Sequence, residues 1–244
     1  MKQQLLNYIN HRNAPIPSGP WIMYQRWENI MCMHIPVSKE RISPHIPEPL
    51  ELDIYEDQAW ISIFTFRVSG MQQRGMPKFP WFNSFPEVNV RTYVRHDGIP
   101  GVYFFSLDAA KIIPVIGARL VSLPYFKAKM KMAEGMGWTH YSSRRQYGSG
   151  AFFKGRYKSI SSPSATGPDS LDYWLFERYY LFNTVKGRIV HIGIHHLPWK
   201  PADVSVVYDR NGVNSLLPGD IEGTPAISHY VDSLDVIFWP LQKT

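Results

Sequence analysis

The sequence predicts a mainly β protein with a few short helices, arranged as a closed or nearly closed antiparallel β-barrel or as a β-sandwich. Three observations lead to this fold class. About ten segments rich in β-branched and aromatic residues follow one another along the chain. Short turns containing Gly or Asp separate them, and segments with a helical period are few. Such a succession is typical of a meandering antiparallel sheet.

The amino-terminal half is predicted to contain an entrance segment and two hairpins. Residues 1–20 read as a short amphipathic helix followed by a Pro-rich stretch, within a single domain that spans residues 1–244. The turn signals Glu56-Asp57-Gln58 and His96-Asp97-Gly98 each separate a pair of extended segments. The predicted strands of this half are Leu50–Tyr55, Ala59–Val68, Val88–Arg95 and Val102–Leu107.

The carboxyl-terminal half adds further strands and little helix. Ser106-Leu107-Asp108 is a cap candidate for a brief helix that Pro114 would end. A helical turn or two is also expected near Asp203–Leu217. The predicted strands are Tyr125–Ala133, Trp138–Arg145, Phe152–Ile160, Leu175–Val185, Arg188–His196 and Ser233–Trp239.

Composition limits the class of protein. A chain of 244 residues is long enough to bury a sizeable core without disulfides or structural metal ions. Its one cysteine, Cys32, excludes an internal disulfide and multi-cysteine metal sites, which fits a reducing compartment. The longest stretch without a charged residue, Asn13–Gln25, contains three prolines, so no membrane-spanning helix is expected. The amino terminus is too polar for a signal peptide, and a cytoplasmic protein without a membrane partner is predicted.

The net charge of +6 comes from one segment, because residues 111–158 hold ten basic side chains and one acidic one, Glu134. Interleaved aromatic residues raise the hypothesis of a single-strand nucleic-acid groove. However, Lys127, Lys129 and Lys131 alternate with apolar residues, as in a strand with one solvated face. The solvated-face interpretation is favoured, and no nucleic-acid partner is predicted.

Several catalytic and cofactor motifs are missing from the sequence. There is no P-loop, no G-x-S-x-G elbow and no H-E-x-x-H helix. The histidines His191, His195 and His196 lie on an extended segment, where the first two are about 13 Å apart and the last two point to opposite faces. Hydrogen-bonded structural histidines are therefore the default, and no metal and no cofactor are predicted.

The segment Phe85–Arg95 alternates a polar row with an apolar row. Glu87, Asn89 and Arg91 stand on one face, with Tyr93 continuing the row, and Val90 belongs to the other. Polar rows usually face solvent. Inside a barrel the orientation can invert, so that the polar row lines a central cavity. Arg91 would then clamp a carboxylate and Glu87 would be a possible general base.

Longer stretches of the chain resemble a known family. These are FPEVNVRTYV, GVYFFSLDA, LPYFKAKM, FERYYLF, HHLPW and HYVDSLDVIFWP, in this order. They resemble the YqjF-like family of uncharacterised bacterial proteins over nearly the whole chain. That family is similar in turn to the acetoacetate decarboxylase-like superfamily. The resemblance implies a closed antiparallel β-barrel with a deep, partly apolar central cavity.

In acetoacetate decarboxylases a Pro-Lys-Lys-type motif supplies a lysine that forms a Schiff base with a keto acid, and an upstream glutamate lies in the cavity. Pro124 matches the motif proline, but Tyr125 and Phe126 occupy the two lysine positions. Glu87 is the match to the cavity glutamate. Lys127 falls on the solvated face, and a solvated lysine is protonated at neutral pH and a poor imine former. The resemblance thus implies the fold without the Schiff-base lysine.

Three functions follow from these observations. The leading hypothesis is a protein that holds a small organic carboxylate or carbonyl compound in the cavity. Its predicted ligand-binding residues are Asn89, Arg91, Tyr93, Arg119 and Phe126, with Glu87 and Tyr125 as catalytic candidates. The second is an enzyme in which Glu87 or Tyr125 transfers a proton on an enolisable carbonyl compound. The third is the nucleic-acid-binding module. We also expect Arg91→Ala to lower stability, since Glu87 would lose a buried partner.

Overall fold

The computed structural model describes residues 5–77, 84–111 and 123–243 of the chain. Within them it confirms a mainly β protein. The strands are β1 Met23–Val37, β2 Glu51–Leu52, β3 Ala59–Gln73, β4 Ser84–His96, β5 Ile99–Ala109, β6 Tyr125–Gly135, β7 Trp138–Arg145, β8 Phe152–Ser159, β9 Tyr180–Val185, β10 Arg188–His195, β11 Ala202–Tyr208 and β12 Ile227–Lys243. The helices are α1 Lys39–Ile42, α2 Leu171–Phe176 and α3 Arg210–Leu216, with a 3-10 turn at Ser43–His45.

Seven strands pair in a continuous series. β12 pairs with β1, β1 with β3, β3 with β4 and β4 with β5, all antiparallel. β5 then pairs with β9, β9 with β10, and β10 again with β12, so the series returns to its first strand. The prediction of antiparallel pairing throughout is wrong for β5–β9 and β5–β6, which are parallel. Only strands joined by a tight hairpin must be antiparallel, and neither pair is joined in that way.

A second group of strands, β6, β7, β8 and β11, covers one side of this series and is paired to it through β5 and β12. The inward aromatic residues of this group share a buried apolar cluster with Val88 and Val90 of β4. On β6, Lys127, Lys129 and Lys131 are exposed while Ala128 is buried, which confirms the predicted alternation. β4 is therefore packed on both faces, and its two rows of side chains meet different surroundings.

The space on the other side of β4 is filled by α2 and by the loop after β10. Phe176 of α2 packs against Trp199 of this loop, with ring centroids 5.0 Å apart, and both rings approach Phe64 of β3. The prediction of a strand from Leu175 is wrong here, because the Ser170 hydroxyl caps a helical turn by accepting a hydrogen bond from the Tyr173 amide.

Other local predictions also need correction. Among the described residues of the amino-terminal segment, only Leu5 and Leu6 are helical, and single turns follow them. Residues 106–109 continue β5, where ladder pairing outweighs a possible cap. The stretch predicted as helical turns from Asp203 begins as a strand, and its helix starts only after the Asp209 cap. No helix among the described residues is both long and apolar enough to cross a bilayer.

Candidate functional site

The polar row of β4 is buried and faces an internal cavity. Glu87, Asn89 and Arg91 are 7%, 3% and 5% exposed, and all three line that cavity. The apolar row, with Val88 and Val90, points the other way into the apolar layer under β6–β8. The inverted orientation predicted for this strand is confirmed. The pairing of β4 with β5 has a bulge between Val90 and Arg91, which lies within the polar row.

The cavity is small, with a volume of about 40 Å³. One enclosed water needs roughly 10–15 Å³, so this is space for about three waters, and a larger organic ligand enters only if lining side chains move. Side chains from several strands, from residues just after α2 and from the loop after β10 surround it. Besides the β4 row, its lining includes Met23, Gln25, Trp27, Phe104, Leu107, Leu123, Tyr125, Phe176, Arg178, Leu181, Ile194, His196, Trp199 and Phe238.

Arg91 is the cation of this cavity. Its guanidinium carbon lies 3.8 Å from the centroid of the Phe64 ring, and its Nη2 donates a long hydrogen bond of 3.4 Å to the Leu175 carbonyl. The Nε group has no partner. Within the described residues, no carboxylate oxygen comes within 4.0 Å of this guanidinium. A buried positive charge without a negative partner is expensive to maintain.

A second guanidinium, that of Arg178, stands at the same end of the cavity. Its Nη1 donates to Asp53 at 2.5 Å and its Nε donates to the Trp174 carbonyl at 2.7 Å, while Nη2 is left without a partner. Asp53 also accepts from Arg95 at 3.0 Å. One carboxylate therefore serves two arginines, and Arg91 has none, so this end of the cavity carries an excess of positive charge.

The other end of the row is different. Burial, and secondarily the negative charge of Asp108, raise the pKa of Glu87 to about 8. Asp108 itself accepts from Arg145 through both carboxylate oxygens, at 2.8 and 3.0 Å. Glu87 and Arg91 lie four residues apart on an extended strand, about 13 Å between Cα atoms, so they do not neutralise each other. The expectation that Arg91 is the partner of Glu87 is wrong.

The remaining predicted site residues differ in whether they line the cavity. Tyr125 lines the cavity, and burial together with the nearby Glu87 holds the pKa of its hydroxyl well above the usual value. The hydroxyl of Tyr93 turns to Ser62 instead, at 2.6 Å, and the ring of Phe126 lies under the Arg145 guanidinium at 4.1 Å. Arg119 lies outside the described residues.

Sequence reasoning missed several lining residues. Gln25 and Trp27 belong to β1, for which no strand had been predicted, although their spacing of two is that of a strand. His196 and Trp199 stand in the run His195–Trp199, whose two histidines both make hydrogen bonds, as predicted for structural histidines. His195 Nδ1 accepts from Arg12 Nη1 at 3.1 Å, and His195 Nε2 donates to the Leu5 carbonyl at 2.9 Å.

Unpartnered polar atoms converge on the cavity. Buried side-chain atoms without a hydrogen-bond partner include, on its walls, Asn89 Oδ1, Arg91 Nε, Arg178 Nη2, His196 Nε2 and Trp199 Nε1. Burial lowers the pKa of His196 to about 3, so the ring is neutral. Its Nδ1 donates to the Leu197 carbonyl at 2.8 Å, which leaves Nε2 as an acceptor. The wall thus offers donors and acceptors together, and buried polar groups normally have partners.

Comparison with known proteins agrees with this architecture. A family model described as DUF2071, an uncharacterized conserved protein, matches residues 24–235. The chain belongs to this family. It is 42% identical over 242 residues to the uncharacterized protein YqjF of Bacillus subtilis strain 168, covering 96% of this chain and 98% of that protein.

Solved structures with the same fold are distant in sequence. An acetoacetate decarboxylase-like enzyme from Sphingomonas wittichii RW1 superposes with a TM-score of 0.59 at 10% identity, covering 96% of this chain and 98% of its own. The enduracididine biosynthesis enzyme MppR, complexed with pyruvate, gives 0.63 at 9% identity, covering 95% and 93%. The resemblance to acetoacetate decarboxylase-like proteins is thereby confirmed for the fold.

Proposed function

We propose that the chain binds a small organic carboxylate or carbonyl compound in the cavity, with Arg91 as the group that holds its negative charge. The observation that carries this proposal is a buried guanidinium that faces the cavity without a counter-ion among the described residues. A bound carboxylate would supply the missing charge and accept from Arg91 in the paired geometry that guanidinium and carboxylate favour.

The rest of the wall supports a ligand with two kinds of polar group. Arg91, Arg178 and the Trp199 indole offer N–H donors, which suit a carboxylate. Asn89 Oδ1 and His196 Nε2 are acceptors, which suit a hydroxyl or another protonated group. Aromatic rings of Trp27 and Phe176 give the apolar walls that small-molecule sites usually have.

The continuous series of strand pairs around this space supports a closed β-barrel as the architecture of the site. In that arrangement inward-facing side chains of several strands surround one small interior. The fold shared with MppR, whose structure was solved with pyruvate, is a further argument for a small ligand in this interior. A cytoplasmic location belongs to the same proposal and rests on the single cysteine.

A second function, proton transfer on an enolisable carbonyl compound, is favoured by one observation. The pKa of Glu87 is raised to about 8, near the pH at which a general acid or base works best. Tyr125 stands on the same wall. A Schiff base is not part of this proposal, because Lys127 is exposed and no lysine is among the described residues that line the cavity.

Calorimetry with acetoacetate tests the binding function. We expect acetoacetate to bind, and acetone, which lacks the carboxylate, to bind at least about tenfold more weakly, a difference of about 1.4 kcal/mol. Arg91→Met should abolish this preference, whereas Lys129→Met, the same substitution on an exposed strand face, should preserve it. Equal binding of both ligands, or unchanged binding to Arg91→Met, would contradict the proposal.

The same samples in deuterated buffer test the second function. Faster deuterium incorporation next to the carbonyl, lost in Glu87→Gln, would establish proton transfer. Binding without added exchange would leave a binding protein. Borohydride added to the complex should leave the protein mass unchanged, since no lysine is among the described residues that line the cavity.

A further inference from the structure

A chain of buried polar side chains leads away from Arg91 on the side of β3 and β1. The Arg91 guanidinium lies 5.9 Å from the centroid of the Tyr93 ring and interacts with its hydroxyl. That hydroxyl is 2.6 Å from Ser62 Oγ, and the same oxygen is 2.7 Å from His34 Nδ1. Tyr93, Ser62 and His34 are completely buried, so these contacts form without competition from water.

A second pair of groups starts at the surface and reaches the same place. Asp172 of α2 has a side chain that is 39% exposed, and its Oδ1 is 3.2 Å from Nε2 of the buried His229. The rings of His229 and His34 are then only 5.3 Å apart, centroid to centroid. One nitrogen on each ring, His34 Nε2 and His229 Nδ1, has no partner.

The two halves are complementary in hydrogen bonding. Because Asp172 accepts from His229 Nε2, a neutral His229 has its lone pair on Nδ1. If Ser62 donates to His34 Nδ1, a neutral His34 carries its proton on Nε2. A donor and an acceptor therefore stand on neighbouring rings.

The charges around this histidine pair come from four elements. Burial, then His229, then the positive charge of Arg91, hold the pKa of His34 well below its usual value. Asp172 faces His229 from α2. Cys32 of β1 and Asp203 of β11 stand opposite His229 in the register. Burial raises the pKa of the Cys32 thiol, which stays uncharged.

We propose that an anion bound to Arg91 is accompanied by a proton that enters from solvent at Asp172 and is held by the His34–His229 pair. This inference rests on the proposed carboxylate site. The anion neutralises a positive charge that otherwise opposes protonation of His34. The contact of Asp172 with His229 gives the proton a route from solvent to the ring beside His34. No covalent bond changes, and the balance is one anion and up to one proton taken up together.

Proton uptake fixes the direction of the pH dependence. The complex holds more protons than the free protein in the pH interval where His34 titrates, so binding strengthens as the pH falls through that interval. By linkage, affinity changes by up to about tenfold per pH unit there.

Calorimetry with acetoacetate in buffers of different ionisation enthalpy, at one pH well below 8 where Glu87 is already neutral, measures this uptake directly. We expect uptake of a fraction of a proton up to one proton by the natural protein, and none by His229→Gln. Asp172→Asn, at the exposed end, keeps the core intact and should reduce the uptake while acetoacetate still binds. Binding without proton uptake would overturn the inference and leave the carboxylate site standing.

A second measurement needs no ligand. Nitrogen-15 spectra of the imidazole rings should show His34 titrating at higher pH in Arg91→Gln than in the natural protein, because the opposing charge is gone. Lys129→Gln, which removes an exposed charge, is the control and should leave the midpoint unchanged. An unchanged midpoint in Arg91→Gln would overturn the inference, whether or not acetoacetate binds. A failure of acetoacetate to bind would by itself refute the proposed function.

Discussion

β4 and β6 both alternate polar with apolar residues, but their polar rows lie in opposite environments. On β4 the polar residues Glu87, Asn89 and Arg91 are buried, whereas on β6 the lysines of the polar row are exposed. The difference arises because β4 lies between two packed layers, with α2 and Trp199 on one side and the β6–β8 strands on the other. Nothing among the described residues covers the outer face of β6.

The comparison shows what a buried polar row costs. An exposed lysine keeps its water, while a buried ionisable group that has no partner of opposite charge must become neutral or keep an unpaired charge. Glu87 takes the first course, since its pKa rises until it is neutral at pH 7. Arg91 cannot, because a guanidinium does not lose its proton in proteins. A negatively charged ligand would therefore be most strongly stabilised at the Arg91 end of the cavity.

The largest effect is expected for Glu87. Its pKa is about 8 in the folded protein and near 4.5 when unfolded, so the folded state holds more protons between these values. Stability contributed by this group is present below about pH 4.5 and lost progressively towards pH 8, at about 1.4 kcal/mol per pH unit. As the pH rises from 5 to 8, the free energy of unfolding of Glu87→Gln should therefore increase relative to that of the natural protein by several kcal/mol, in order of magnitude.

Urea unfolding at several pH values between these limits measures the difference. The exposed Glu51 provides the matched substitution, and Glu51→Gln should follow the natural protein at every pH. A constant difference between Glu87→Gln and the natural protein would mean that Glu87 is already ionised at low pH in the fold.

Arg91→Met should give the next largest effect, and it reverses the expectation from sequence. Because Glu87 is not its partner, removing this unpaired buried charge should raise the free energy of unfolding by about 1–4 kcal/mol. Arg145→Met is the contrast, since it leaves Asp108 without its partner and should lower stability. Chemical denaturation of the three proteins measures both changes. Destabilisation by Arg91→Met would show that the Arg91 charge has a stabilising partner in the fold, contrary to this prediction.

These residues show which parts of the site could be predicted from the sequence. Alternation in β4 was sufficient to separate Glu87, Asn89 and Arg91 from the valines, and the family resemblance indicated which row faces inward. Trp27 and Trp199 were beyond this reasoning as cavity residues, because they meet β4 only through contacts between distant parts of the chain. Local patterns also failed at α2, where a single cap and the burial of Phe176 override the β propensity of the surrounding aromatic residues.

The smallest effects are expected on the exposed face of β6, where Lys129→Glu should change the free energy of unfolding by no more than about 0.5 kcal/mol. The same face should not bind nucleic acid. Its aromatic neighbours are already covered by cations, with Arg156 and Lys158 at 4.8 and 4.9 Å from the Trp138 ring and Arg144 at 4.7 Å from the Phe152 ring. These rings offer little free surface for stacked bases.

Fluorescence anisotropy with labelled single-stranded and duplex oligonucleotides tests this last prediction at about 150 mM salt, where charges are screened beyond about 8 Å. A row of lysines alone gives only the weak contacts that salt removes, with dissociation constants of roughly 10⁻⁴–10⁻⁶ M. We expect no tighter binding, and Lys129→Glu should change little. Tighter binding that Lys129→Glu abolishes would show that the exposed row, and not the buried one, is the recognition surface, because a charge reversal there leaves the cavity and its Arg91 untouched.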